Sequence, residues 1–238
     1  MRAAALVFAG LLVVLVVGFV LLRTGHLRFN YPSRQRYPVW GLDVSHHQGR
    51  IDWDAVGRED YAFAFIKATE GGDYRDSLFQ RNWEGAARAG LARGAYHFFR
   101  FCTPGAAQAR NFIEAVPAGR HLPPVADVEF GGNCRYVPPA DTVRARLAQF
   151  LAEVERAFGQ TPLLYTDRRT YDAFLTSGFA HYPLWINDKL REPGPIEGRR
   201  WVFWQFTAWG RVEGIPTPVD LNVFSGSSDA FARWIAGR

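Results

Sequence analysis

Pro124-Val125-Ala126-Asp127-Val128-Glu129-Phe130 is a short apolar run that carries two acids. It is too short for a packed helix and apolar on both faces, as a strand buried in a parallel sheet is. Similar runs recur before it at 39–45, 61–69 and 94–101, and after it at 162–166, 183–187, 202–207 and 219–224. Helical patterns fill the early gaps, at 77–89, 104–115, 141–158 and 170–176. The clearest, 141–158, puts Val143, Leu147, Phe150, Leu151, Val154 and Phe158 on one face. Asp141 is the expected N-cap and Gly159 the expected stop. The gap at 51–60 is short. After the sixth run the gaps hold Pro193, Pro195, Pro216 and Pro218, with no room for a packed helix. A closing helix is expected over 229–235. The expected fold class is α/β: an irregular TIM-like β/α barrel of eight strands, with helices mainly after the first five. No internal repeat is visible.

Residues 3–22 carry no charge. About 20 apolar residues suffice to cross a bilayer. The run ends Val20-Leu21-Leu22-Arg23 without the small-x-small site of a cleaved leader. The reading is an uncleaved transmembrane anchor, with a cleaved signal peptide as the alternative. Arg23, Arg28, Arg34 and Arg36 come after the run, and only Arg2 precedes it. That charge count opposes export of the C-terminal domain, although large domains cross regardless of it. Residues 24–38 are polar, hold two prolines and read as a stalk. The expected organisation is an anchor or signal at 1–23, a stalk linker at 24–38 and a barrel domain at 39–238.

Of the 238 residues, 48% are hydrophobic and 21% charged, which excludes a disordered chain. Two cysteines exclude a disulfide scaffold and a four-cysteine zinc site. The net charge is +5, and all but Lys67 and Lys189 of the 28 basic residues are arginine. A basic surface suits wall polymers, lipids or nucleic acid alike. No nucleic-acid-binding motif accompanies it, so a nucleic-acid partner is not expected.

In such a barrel the chemistry belongs at the C-terminal ends of the strands. Polar residues sit there: Asp43, Lys67, Glu70, Asp127, Glu129, Tyr165, Asp167, Asn187 and Gln205, with Asp220 and Asn222 in the eighth strand. Asp127 and Glu129 are two apart, so on a strand they face one side with Cα atoms about 6.6 Å apart. Paired carboxyls raise each other's cost of ionisation, so one can stay protonated as a general acid. Glycoside hydrolysis needs that pair. A structural or metal-binding acidic pair is the plain alternative.

Seven ordered blocks carry a family resemblance. They begin with Gly41-Leu42-Asp43-Val44-Ser45-His46-His47-Gln48-Gly49 and Ala64-Phe65-Ile66-Lys67-Ala68-Thr69-Glu70-Gly71. Gly94-Ala95-Tyr96-His97-Phe98-Phe99, Pro124–Glu129, Pro183-Leu184-Trp185-Ile186, Trp204-Gln205-Phe206 and Val219-Asp220-Leu221-Asn222-Val223-Phe224 come next. Together they resemble glycoside hydrolase family 25, the Chalaropsis-type lysozymes, over about 39–224. The resemblance implies an irregular β/α barrel and an N-acetylmuramidase that cuts the β-1,4 bond between N-acetylmuramic acid and N-acetylglucosamine in peptidoglycan. It implies Glu129 as general acid, Asp127 as the group that places the substrate's N-acetyl arm or stabilises charge, and Asp43 as a third catalytic acid. Asp220 is implied as a further cleft carboxylate, and retention assisted by the substrate's acetamido group as the course. No metal or cofactor is implied.

Other candidates stand beside these. His97 either contacts sugar or orients a carboxylate, or it is a satisfied barrel histidine. Tyr165, Trp185 and Gln205 are expected as a sugar platform, or else as core residues. His46 and His47 would point oppositely on an extended strand and share no metal there, though a loop could alter that. Lys67 is expected to pair with an interior carboxylate. Cys102 and Cys134 lie just after neighbouring strands and are expected to form a disulfide in an oxidising location. The expected partners are peptidoglycan strands and, through the first helix, a membrane; the expected state is a monomer. The domain is expected in the periplasm or outside the cell. A catalytically weak or inactive glycan-binding barrel is the alternative from another class. A chitinase-like site would need aspartates where Leu122 and Val125 stand, and a metal phosphodiesterase would need clustered histidines.

Overall fold

A computed structural model describes residues 2–119 and 121–236, without the side chains of 3–5. The first helix, α1 (Arg2–Arg23), has 22 residues, long enough for a hydrocarbon layer of about 30 Å. Its window Leu6–Arg23 has mean hydropathy 2.8, and none of it is buried.

Strands β1 (Trp40–Val44), β2 (Phe63–Glu70), β4 (Ala92–Phe98), β5 (Val125–Asp127), β6 (Leu163–Asp167), β7 (Leu184–Asn187) and β8 (Phe203–Gly210) run in one direction around a barrel. A small strand, β3 (Tyr74–Arg75), folds back on the end of β2 and stands outside the expected eight. The last barrel strand, β9 (Val219–Phe224), closes the ring between β8 and β1 and is antiparallel to both. Its reversal has a simple cause. A parallel partner needs a crossover of a dozen or more residues, whereas the connection at 211–218 is a short proline-bearing loop.

Helices α3 (Phe79–Arg88), α4 (Gly105–Ala115), α5 (Ala140–Phe158) and α6 (Arg168–Phe174) lie where the sequence pattern predicts them, and a single further turn, α2 (Trp53–Val56), stands in the short gap at 51–60. α5 buries Val143, Leu147, Phe150, Leu151 and Val154 and ends on Gly159 in the left-handed conformation, φ 64°. Its N-cap is Pro139, not Asp141; Asp141 lies in the first turn and pairs with Arg144 at 2.6 Å.

Side chains alternate between two cores. Outward residues such as Leu42, Ala64, Ile66, Ala95 and Leu164 join the helices. Inward residues Phe63, Phe65, Leu163, Trp185, Phe203 and Phe224 fill the lower barrel. The C-terminal helix α7 (Ser228–Ala236) plugs its base, with Phe231 5.2 Å from Phe224 and Trp234 5.4 Å from Phe203. Two glycines make this filling possible. Gly41 lies beside Phe63 and Gly94 beside Phe65 across the sheet. A Cβ would meet those rings at 2.4 and 2.6 Å. Gly41→Ala is therefore expected to cost about 1–3 kcal/mol through overpacking, read as a lower thermal midpoint. An unchanged midpoint would show that the lower barrel has slack.

The segment 24–38 is not a free stalk. Tyr31 packs edge-on against Phe206 at 5.1 Å, and Arg34 stacks 4.3 Å over Trp40 while pairing with Asp60 at 2.8 Å. Tyr37 is buried, lies 6.1 Å from Trp204 and donates its hydroxyl to Glu192 at 2.7 Å. Arg211 holds the Thr24 carbonyl. These residues cover Trp40 of β1 and Trp204 and Phe206 of β8.

Candidate active site

The upper ends of the parallel strands and the lower-numbered end of β9 meet at one rim. Reversal of β9 thus brings Asp220 directly opposite Asp43. An open cleft of about 170 Å³ lies there, lined by Asp43, Asp127, Glu129 and Asp220. Tyr165, Trp185, Gln205, Tyr96 and Lys189 complete the lining.

Each carboxyl is held differently. Asp43 Oδ2 accepts from Asn222 Nδ2 at 2.8 Å and from Gln205 Nε2 at 2.9 Å. Burial still raises its pKa, because these two bonds offset only part of the lost hydration. Asp127 is buried, and its Oδ1 has no hydrogen-bond partner among the described residues. Burial and then the Glu129 charge push its pKa well up, against the Lys67 ammonium. Glu129 lies just beyond the end of β5 and is pushed up to about 7, first by burial and then by Asp167 and Asp43 against Lys189. Asp220 is raised by burial and then by Asp43. Burial raises the pKa of all four acids, and repulsion within the cluster adds to it at Asp127, Glu129 and Asp220.

The polar floor is a connected network. Tyr165 Oη donates to Gln205 Oε1 at 3.0 Å and accepts from Asn187 Nδ2 at 2.9 Å. Trp185 Nε1 donates to Asn222 Oδ1 at 2.8 Å. Tyr165, Trp185 and Gln205 are thus brought together in the cleft, but as a floor and not as an exposed stacking platform. Trp185 is 2% exposed, with Phe65 stacked at 4.6 Å and Tyr165 edge-on at 4.7 Å.

His97 is not in the cleft. It points outward from β4 and is fully buried between sheet and helices, stacked 4.8 Å from Phe150. Its ring nitrogens meet Thr69 Oγ1 at 2.7 Å and Gln108 Oε1 at 3.0 Å, and burial pushes its pKa down to about 3. It is the satisfied barrel histidine. Strand alternation gives the inward place to its neighbour Tyr96, which the motif reading passed over.

His46 and His47 lie on a single 3₁₀ turn, with rings 4.0 Å apart, and not on a strand. His46 Nδ1 is tied to Asp76 at 2.7 Å, and no metal-ligating cluster occurs among the described residues. Lys67 pairs with Glu70 at 2.8 Å, and Glu70 also takes Arg100 at 3.1 Å. Cys102 and Cys134 are disulfide-bonded, with Cα atoms 6.1 Å apart. The bridge joins the loops after β4 and β5. Asn133 beside it accepts from the Phe101 amide and donates to the carbonyls of Phe99 and Glu129, each at 2.9 Å. That residue fixes the backbone at Glu129, and nothing in its spacing announces it.

The match to the model of glycosyl hydrolases family 25 covers residues 42–215, from within β1 to the loop before β9. The chain belongs to glycosyl hydrolase family 25. It is 36% identical over 203 residues to lysozyme M1 of Streptomyces globisporus, covering 80% of this chain and 69% of that one. Among solved structures, a family 25 glycosyl hydrolase from Bacillus anthracis matches with TM-score 0.82 and 35% identity, over 87% of this chain and 97% of its own. A lysozyme from Streptomyces coelicolor matches with TM-score 0.77 and 34% identity, over 84% and 97%. Family 25 membership makes this barrel a glycoside hydrolase.

Proposed function

We propose that this family 25 hydrolase is an N-acetylmuramidase acting on peptidoglycan, with Glu129 as general acid and Asp127 assisting. The observation that carries the assignment is the Asp127–Glu129 pair itself. One member holds a proton up to about pH 7, and the other keeps a buried, unpartnered oxygen. Glu129 donates its proton to the glycosidic oxygen as the C1–O bond breaks. The substrate's acetamido oxygen then closes on C1, and Asp127 Oδ1 accepts the acetamido N–H. Water opens the ring intermediate and returns a proton to Glu129. Asp43, fixed by Asn222 and Gln205, supplies negative charge near the oxocarbenium centre.

The reading places α1 in a membrane and the barrel outside the cytoplasm, as a monomer. The apolar helix, the disulfide and an extracytoplasmic substrate support that placement. The detergent-solubilised full chain is expected to release fragments with reducing N-acetylmuramic acid ends from purified peptidoglycan, as read by mass spectrometry. Reducing N-acetylglucosamine ends would make it a glucosaminidase. Binding without release would make it a glycan-binding barrel.

A further inference from the structure

The four carboxyls make the cleft acidic, and a wall glycan that carries carboxylates is itself an anion. One cation lining the cleft is uncommitted. Lys189 is partly exposed and takes part in no ion pair among the described residues. Its charge acts on Asp43, Glu129 and Asp220 without contact. The other lysine, Lys67, is already taken by Glu70.

The loop that presents Lys189 is pinned through Asp188. The Asp188 carbonyl accepts from Trp204 Nε1 at 2.8 Å and Asn30 Nδ2 at 3.2 Å. Its amide donates to the Gln205 carbonyl at 3.2 Å. Its carboxylate accepts from the amides of Leu190 and Arg191 at 3.0 and 3.2 Å. A side chain on such a base is aimed and not merely tethered.

Composition supplies an independent observation. Of 28 basic residues only two are lysine: Lys189 lines this cleft, and the Lys67 charge acts on Asp127 from outside its lining. A guanidinium pairs bidentately with carboxylates and would engage the enzyme's own acids here. A compact ammonium stays available.

We propose that Lys189 reads the substrate: its ammonium binds a carboxylate carried by the muramic acid residue, on the 3-O-lactyl arm or on the stem peptide attached to it. The proposal rests on the muramidase reading for the presence of that sugar in the cleft. The contact is charge-assisted and lies at the cleft mouth, so it acts on affinity and weakens with salt.

The test uses the full-length Glu129→Gln chain in detergent, where binding is measured without turnover. Calorimetry compares stem-bearing glycan, denuded glycan with free lactyl carboxylates, and denuded glycan whose carboxylates are converted to neutral methylamides. Charged glycan is expected to bind roughly five- to tenfold more tightly than neutral glycan. Adding Lys189→Gln removes that difference, and Lys189→Arg weakens it, because the cleft's own acids engage the guanidinium. A preference confined to denuded glycan assigns the lactyl carboxylate; one confined to stem-bearing glycan assigns the peptide. Equal affinities, or a preference that survives Lys189→Gln, overturn the proposal. Digestion by the wild-type chain is read separately and tests the muramidase reading alone, so the two fail independently.

Discussion

Glu129→Gln is expected to lower kcat on peptidoglycan by about 10³-fold, within the range that general acid catalysis contributes. Glutamine keeps the shape of the side chain and its place beside Asp43 but has no proton to give. Glycan binding is expected to persist, which separates loss of chemistry from loss of the site. The wild-type pH profile is set by the same residue. Glu129 titrates at about 7, and the reaction needs its acid form. Activity as kcat/KM is therefore expected to fall as pH rises through about 7. A rate that held steady well above that pH would remove Glu129 from the role of acid.

The same substitution is expected to stabilise the fold. Glu129 goes from an ordinary value of 4.5 to about 7 on folding, so the folded chain holds that proton more tightly. Its contribution is fully present below pH 4.5 and is lost as pH rises through about 7. The neutral amide never loses it. Glu129→Gln should thus match wild type near pH 4 and gain on it with rising pH, approaching about 3 kcal/mol at pH 8. Each kcal/mol corresponds to about 2–4 °C in a domain of this size. His97 makes the comparison of variants necessary, since its pKa of about 3 weakens the wild-type fold on the acid side. Equal midpoints for both chains at pH 8 would mean that Glu129 is better hydrated than its surroundings suggest. Loss of turnover with gain of stability is the usual mark of a residue retained for chemistry.

Much of this was legible in the residues. Strand runs such as 162–166 and helix 141–158 were readable because length and apolar period agree. The Asp127–Glu129 spacing announced the acidic pair. The features that escaped reading did so for physical causes. Along β4, Ala92, Gly94 and Tyr96 alternate with Arg93, Ala95 and His97, and hydropathy marks neither face as the inward one; the ring of Phe65 against Gly94 fixes which residue faces inward. The reversal of β9 lies in a loop length, not in the strand's own composition. Lys189 sits in a connection without period, and its aim depends on Asp188 bonds to Trp204, Gln205 and Asn30, all distant in sequence. Polar residues 24–38 looked like a tether because the aromatics they cover belong to other strands.

The antiparallel last strand also sets the order in which the enzyme can come into being. A chain is made from its amino terminus. Asp43 emerges early, yet one of its hydrogen-bond partners, Asn222, lies 179 residues behind it. Until β9 arrives, β1 lacks its second neighbour, the ring is open and Asp220 has no place. Such distant pairings form late and slowly. A nascent or interrupted chain that lacks β9 therefore carries no assembled cleft, and the cutting edge is fitted only once that strand has been made.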